Sequence, residues 1–196
     1  MTTNSPLVDK QCSLRERKKQ KTWRAIHDAA FDLVSERGVA HVTVADICAS
    51  ATISERTFFN YFPSKAAAAL GLPATAIAEE DERRFLEGSG PLLDELCELI
   101  ASVSSGKDNL PRMRELIRLE PDLLAALHQW TSGLRKHVIQ LAEQRTAEPA
   151  RAHLAVALVF AALFLNADSG YTTRPGRASA ADLRATVSRL GELAAE

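Results

Sequence analysis

Apolar side chains recur every three or four positions through most of the chain, which is the periodicity of amphipathic α-helices. Glycines and prolines fall mostly between these segments, where helices begin and end. No segment has the convincing alternation of a β-strand. The pattern therefore predicts an all-α chain of about nine helices, one of which is interrupted at Gly71 and Pro73. The helical segments lie over 14–37, 44–50, 54–61, 63–71, 74–87, 91–105, 111–119, 122–146, 149–168 and 179–195.

The helix lengths predict two domains after a short arm. Residues 1–14 are predicted to be disordered, residues 15–65 to form a small helical domain, and residues 66–196 to form a larger helical body. The first long helix carries one apolar stripe for the core of the small domain, formed by Trp23, Ile26, Ala30, Leu33 and Val34.

The charge of the chain is divided unevenly between these domains, although the total is only -1. Residues 1–65 contain ten basic and seven acidic residues, a net charge of +3, and the remainder contains fourteen and eighteen, a net charge of -4. A basic segment on an acidic body predicts a polyanionic partner for the small domain alone.

The sequence also predicts the compartment. The three cysteines, Cys12, Cys48 and Cys97, lie far apart and form no disulfide framework or metal-ligand spacing. The start of the chain lacks the apolar region of a secretory signal. The longest apolar run, 154–165, has about a dozen residues, whereas a membrane span needs ~20. We therefore expect a cytoplasmic protein in which this run forms a buried helix.

Residues 43–62 have the pattern of a helix-turn-helix. Their larger apolar side chains can face one small core, namely Val44, Ile47, Cys48, Ile53, Phe58 and Phe62. The second short helix then exposes polar side chains that suit a DNA major groove. From the pattern alone, an ordinary helical hairpin with a solvated polar face is an equally good interpretation.

Three stretches make the interpretation more specific. Residues 26–38, 43–47 and 54–65 read IHDAAFDLVSERG, TVADI and SERTFFNYFPSK, and they closely resemble the N-terminal domain of the TetR family of transcriptional regulators. Two positions depart from the family pattern. Thr52 replaces the usual turn glycine, which predicts strain if φ is positive, and Phe59 lacks the hydroxyl group of the usual tyrosine.

The resemblance implies roles for individual residues. Those implied to bind phosphates are Thr43, Thr57, Tyr61 and Lys65. Those implied to face base edges are Glu55, Arg56 and Asn60. Ser54 caps the reading helix at the same surface, and Arg15, Lys18 and Lys19 are expected to touch the DNA backbone or minor groove. The alternatives are a helix-start acid for Glu55 and solvated charges for Lys65 and the basic run.

For the body, the resemblance implies a homodimer built on 149–168 and 179–195 and a ligand cavity between the middle helices. Residues 109–124 resemble an actinobacterial subgroup whose regulators sense acyl chains or acyl-CoA. The candidate cavity residues are large and apolar: Leu99, Val103, Met113, Leu116, Ile117, Leu127, Trp130, Phe160 and Phe164. An ordinary filled core explains each of them equally well, and Arg112, Arg114 and Arg118 fit either an anionic ligand head or a charged surface.

The sequence of the body carries no catalytic constellation, and no cofactor or metal site is expected. His128 and His137 lie nine residues apart, hence on different sides of one helix, and we interpret them as surface or capping groups. The sequence thus predicts a DNA-binding transcriptional regulator, a repressor released from its operator by an apolar small molecule. The alternatives are a helical small-molecule carrier or enzyme without a DNA role, and a basic amphipathic helix that acts at membranes.

Overall fold

The structure, a computed structural model, describes residues 14–104, 110–167 and 178–195. Within these ranges the chain forms ten α-helices, one 3-10 helix at Val39–His41 and no strand. The all-α prediction is confirmed, with ten helices instead of about nine. The helices are α1 (Leu14–Arg37), α2 (Val44–Ala51), α3 (Glu55–Phe59), α4 (Lys65–Ala69), α5 (Glu79–Glu87), α6 (Leu92–Ser104), α7 (Leu110–Leu119), α8 (Leu123–Glu143), α9 (Pro149–Ala167) and α10 (Ala180–Ala194). Most of the predicted arm, with Cys12, lies outside the described residues.

The predicted stripe of α1 forms the centre of the N-terminal core. Ile26, Ala30 and Val34 are fully buried there, while Trp23 and Leu33 pack against its edge. The large aromatic side chains of the helix-turn-helix are buried in the same core. Because α1 also packs against α2, α4 and α7, this single stripe organises the whole N-terminal domain.

This core extends beyond residue 65 and includes side chains from the body. Residues 67–70 and Leu72 belong to it, and so do Leu116 from α7 and Leu123 from α8, both fully buried. Burial at this depth stabilises each Leu side chain by about 1.5–3 kcal/mol relative to exposure. The small domain and the body therefore share a packed boundary.

Side-chain caps set the starts of the short helices. Thr43 begins α2 with a capping box, in which its hydroxyl oxygen accepts a hydrogen bond from Asp46 N and its backbone N–H donates to the Asp46 carboxylate. Ser54 accepts in the same way from Thr57 N at the start of α3, and Ser64 does so at the start of α4. These caps allow five-residue helices to begin at defined positions.

One predicted helix begins later than expected. The sequence pattern predicts a helix over 74–87, whereas α5 starts at Glu79. Ala74 N donates a 2.8 Å hydrogen bond to Tyr61 O, and Trp130 Nε1 donates a 2.9 Å hydrogen bond to Pro73 O. These two bonds to distant parts of the chain hold the segment before α5 in an irregular conformation.

Helix α9 has the predicted bounds to within one residue, and part of its apolar surface is exposed. The helix has 19 residues, and an 18-residue window of it has a mean hydropathy of 1.7, so by length and composition α9 could cross a membrane. Within the structure, 39% of that window is buried. A core helix of a soluble protein passes the same test. Here α9 packs against α6, α8 and α10 and leaves Leu154, Leu158 and Phe164 exposed on its other side. The apolar run 154–165 is therefore buried on one side of α9 and exposed on the other within a single chain.

The turn between α2 and α3 has the conformation in which strain is expected. Thr52 has φ 56° and ψ 50°, and it is the one non-glycine residue with positive φ among the residues that the structure describes. For a residue with a Cβ, this left-handed conformation costs roughly 1–2 kcal/mol. The turn therefore has a left-handed residue at a position where glycine would carry no such strain.

We expect Thr52→Gly to stabilise the protein by about 0.5–1 kcal/mol, because relief of the strain exceeds the extra unfolded-state entropy of glycine. Urea unfolding measures this change. Thr52→Ala is the matched control, since alanine keeps the Cβ and hence the strain. Equal stability of the Gly and Ala variants would contradict the argument.

Candidate DNA interface and ligand cavity

The reading surface at α3 contains the three side chains predicted to face base edges. Glu55, Arg56 and Asn60 are all exposed there, and the buried ring of Phe58 anchors the helix from the opposite side. Asn60 is the residue that ends α3. The cap and the buried ring fix the position of this short helix and hence of its polar side chains. Contacts with base edges require side chains that are held in defined positions.

Several of the predicted phosphate-binding groups are already hydrogen-bonded within the free protein. The Ser54 and Thr57 hydroxyl groups share a 2.9 Å hydrogen bond, and the Thr43 hydroxyl donates a 2.6 Å hydrogen bond to Asp46. Lys65 Nζ donates a 2.7 Å hydrogen bond to Val42 O, next to Thr43. A phosphate contact from Thr43 or Lys65 would therefore replace or share an existing bond, whereas Ser54 acts as a cap.

The Asp46 carboxylate keeps a negative charge beside this surface. Hydrogen bonds from the hydroxyl group and the backbone N–H of Thr43 hold the pKa of Asp46 below its ordinary value, with a smaller contribution from Arg37. The side chain therefore remains ionised at neutral pH. It fixes the start of α2 and repels any anion that approaches it directly.

The basic start of α1 is separate from the reading surface in sequence but belongs to the same domain. Lys18 and Lys19 lie on α1 with exposed side chains, and the same holds for Arg17, Lys21 and Arg24. The backbone of Arg15 belongs to α1, and its side chain lies outside the described residues. Five exposed cations within two helical turns supply the attraction for phosphates on which DNA binding depends.

Two aromatic residues of this domain were not assigned a role from the sequence. Phe59 is 51% exposed on α3 and packs edge-on against Phe58. His27 is buried, and its ring Nδ1–H donates a 2.7 Å hydrogen bond to Ala68 O, which ties α1 to α4. The sequence signal for this role is the four-residue spacing of Trp23, His27 and Phe31, which places the three rings on one face of α1. The Trp23 and His27 rings meet at a tilt, and the His27 and Phe31 rings meet edge-on.

An apolar cavity of about 280 Å³ lies in the body, directly beyond the N-terminal core. Its walls come from the end of α4 and from α6, α7, α8 and α9. Seven of the predicted ligand residues line it: Val103, Met113, Ile117, Leu127, Trp130, Phe160 and Phe164. The sequence interpretation left out the α4 end, where Leu70, Gly71 and Leu72 complete the wall.

The structure places the other two candidates away from this cavity. Leu116 is fully buried in the N-terminal core, because it lies on the side of α7 that faces α1. Leu99 lines a different pocket beside Phe85, between α5 and α6. Helical periodicity identifies an apolar face but does not say which of two neighbouring cores that face joins. The sequence alone therefore does not separate Leu99 and Leu116 from the residues that line the cavity.

Helix α7 carries three arginines with different surroundings. Arg112 pairs with Asp28 at 3.2 Å and with Asp32 at 3.7 Å, and its guanidinium lies 4.1 Å from the centre of the Phe31 ring, so it links α7 to α1. Arg118 pairs with Glu115 on its own helix. Arg114 lines the cavity and donates a hydrogen bond to the carbonyl oxygen of Ala167 at the end of α9.

The histidines of α8 have the surface positions predicted for them. His128 is exposed, and His137 Nε2 lies 2.7 Å from the carboxylate of Glu82 on α5. Among the described residues, no three His, Cys, Asp or Glu side chains are grouped in a way that could hold a metal ion.

Comparisons with known proteins agree with the geometry of the N-terminal domain. Residues 26–69 match the model of the family described as bacterial regulatory proteins, tetR family. Among solved structures, the chain is similar to the crystal structure of the multidrug binding protein EbrR complexed with imidazole, with a TM-score of 0.43, 17% sequence identity, and coverage of 97% of each chain. No curated protein sequence matches the chain. The matched residues include α2, α3, α4 and α1 from Ile26 onward, so the helix-turn-helix lies within the part of the chain that is similar to the tetR family of bacterial regulatory proteins.

Proposed function

We propose that the protein is a cytoplasmic, homodimeric transcriptional repressor that leaves its operator when an apolar small molecule binds in the body. The observation that carries the proposal is the capped and exposed reading surface of α3 within a domain that matches the tetR family. The chain combines this surface with a separate apolar cavity that reading of DNA does not require. Acyl chains and acyl-CoA are the effector class that we propose to test first.

The arrangement of charge supports specific roles at the DNA. Arg56 suits a bidentate contact with guanine O6 and N7, Asn60 suits adenine, and Glu55 suits the amino group of cytosine. Lys65, Thr57 and Tyr61 are partly buried beside them and suit the phosphates that position the domain. In this proposal, α3 enters the major groove and the start of α1 follows the backbone.

We expect Arg56→Ala to relax preference at one base pair of each half-site, with a loss of about 1–3 kcal/mol at the preferred base. Lys65→Ala should weaken binding to all sequences alike and reduce the slope of log affinity against log salt by about 1. Selection from a random duplex pool, followed by salt titrations on the selected site, measures both effects.

Arg83→Ala is the matched control for this experiment, because Arg83 is an exposed arginine of α5 in the body. It should leave both specificity and salt slope unchanged. If no duplex is selected, or if binding does not respond to salt, the regulator proposal fails and a small-molecule carrier becomes the better interpretation. If Arg56→Ala weakens all sequences uniformly, its role as a base reader is wrong.

The exposed side of α9 supports the proposed dimer. Leu154 is 67% exposed, and together with Leu158, Ala157 and Ala161 it leaves a mostly apolar surface along the helix. Soluble monomers seldom leave contiguous apolar surface of this kind uncovered. A twofold partner that packs the same helix against this surface, with α10 beside it, would cover it.

We expect Leu154→Glu to raise the dimer dissociation constant at least about a hundredfold, because each copy would bury an unpaired carboxylate, and uncompensated buried charges cost several kcal/mol. Sedimentation velocity over a concentration series measures the change. Leu119→Glu is the control, since Leu119 is an exposed leucine at the end of α7 and does not belong to the proposed dimer surface. A stable wild-type monomer at micromolar concentration would contradict the dimer.

A physical connection between the cavity and the reading surface supports the effector response. The wall at Leu70, Gly71 and Leu72 continues directly from α4, which begins at Lys65 beside the reading surface. Helix α7 adds a second connection, because Met113 and Ile117 line the cavity while Arg112 contacts α1. A ligand that shifts either helix changes the spacing of the two reading helices, which must match one turn of DNA, roughly 34–36 Å.

We expect an effector found by screening acyl chains, acyl-CoA and aromatic compounds to lower operator affinity by ~5–150-fold, the usual range of coupling between sites. In Arg112→Gln this factor should fall about twofold or more, because one connection between α7 and α1 is lost. Operator titrations with and without the effector measure the factor, and Trp130 fluorescence in a Trp23→Phe background measures effector binding.

Arg118→Gln is the matched control, because the Arg118 ion pair stays within α7. It should leave the coupling unchanged. A compound that saturates the Trp130 signal but does not alter operator affinity is not an effector. If Arg112→Gln and Arg118→Gln have the same effect on coupling, the connection through Arg112 is excluded.

A further inference from the structure

A surface groove of about 550 Å³ runs between α8 and α9 beside the apolar cavity. The groove and the cavity share four lining residues: Leu127, Thr131, Phe160 and Phe164. The cavity alone lies just below the ~300–1,000 Å³ of typical small-molecule sites. One ligand can therefore fill the cavity with an apolar part and extend past the shared residues into the groove.

All charged side chains that line these two spaces are cationic at neutral pH. Arg114 lines the cavity, and Arg135 lines the groove, where His128, Ser132 and Thr131 add further polar groups. No Asp or Glu lines either space among the described residues. This is unexpected for a body with a net charge of -4, counted over residues 66–196.

The acidic side chains of the body line other pockets. Asp81, Glu95 and Glu98 lie around the pocket between α5 and α6, and Glu82 lies in the pocket on the other side of Trp130. A cationic ligand would find compensating carboxylates in those pockets and only arginines in the cavity and groove. The sign of the lining charge therefore discriminates between ligand classes.

We propose that the effector is an anionic amphiphile, with its apolar chain in the cavity and its negative head group in the groove at Arg135. Arg114 lies at the cavity wall, where it already binds the end of α9, and adds positive potential along the chain. The inference rests on the proposed effector site but not on DNA binding. A fatty-acid carboxylate and the phosphates of acyl-CoA are both anionic head groups of this kind.

The experiment compares three probes that have the same twelve-carbon chain and different charge: dodecanoate, dodecanol and dodecyltrimethylammonium, all below their aggregation concentrations. Calorimetric titration of the full chain without DNA measures each affinity. We expect dodecanoate to bind about fivefold or more tightly than either other probe, with a difference that shrinks at high salt. Dodecanoyl-CoA tests whether phosphates replace the carboxylate as the anionic head.

Arg135→Gln should remove the preference for dodecanoate while dodecanol binds as before. Lys136→Gln is the matched control, because Lys136 is an exposed neighbour on α8 that does not line the groove. Since Ala157 and Ala161 belong both to the groove and to the proposed dimer surface, all variants are compared in the oligomeric state of the wild type.

Equal or tighter binding of dodecanol or of the ammonium probe overturns the proposal, and so does binding of none of the probes. A preference for dodecanoate that survives Arg135→Gln also overturns the placement of the head group. These titrations contain no DNA, so their results do not depend on whether the protein is a repressor. Failure of the anionic-ligand proposal can therefore be distinguished from failure of the repressor proposal.

Discussion

The N-terminal core is closed by two leucines that belong to the body. Leu116 of α7 and Leu123 of α8 are fully buried among side chains of α1, α2 and α4. Exposing both would cost about 3–6 kcal/mol of hydrophobic free energy, which is comparable to much of the total stability of a domain. The DNA-binding domain therefore cannot separate from α7 and α8, and any displacement of these helices reaches α1 through packed side chains.

The polar contacts across this boundary have a different role from the leucines. Arg112 and its partners Asp28 and Asp32 are all about half exposed, so their ion pairs contribute little to stability. Their contribution is geometric, because the guanidinium lies over the Phe31 ring while it contacts the carboxylates. The hydrogen bond from Val39 N to Glu120 adds a second polar contact at the end of α1. Strong apolar contacts keep the two parts together, and weak polar contacts define their relative position.

The sequence predicts best those features that depend on nearby residues. The stripe of α1, the capped helices α2 and α3 and the exposed residues Arg56 and Asn60 all follow from local periodicity and caps. The late start of α5 does not, because it depends on bonds from Tyr61 and Trp130 to a distant segment. The pairing of Arg112 with Asp28 joins residues 84 positions apart, and Leu116 joins a core built mainly by α1, α2 and α4. No local pattern encodes either contact.

The distribution of charge differs between the start of α1 and the cavity and groove of the body. The DNA-binding domain concentrates exposed cations at the start of α1 and holds Asp46 in a capping box, so its negative charge occupies a fixed place. In the body, acids are abundant, yet Arg114 and Arg135 are the charged residues at the cavity and the groove. Salt limits the interaction between exposed charges to about 8 Å at physiological ionic strength. The charged side chains that line a surface therefore affect ligand binding there more than the net charge of the whole domain does. Under the two proposals made above, one chain attracts two different anions, a nucleic acid at the small domain and a small amphiphile at the body, and the short range of the charges keeps the two attractions separate.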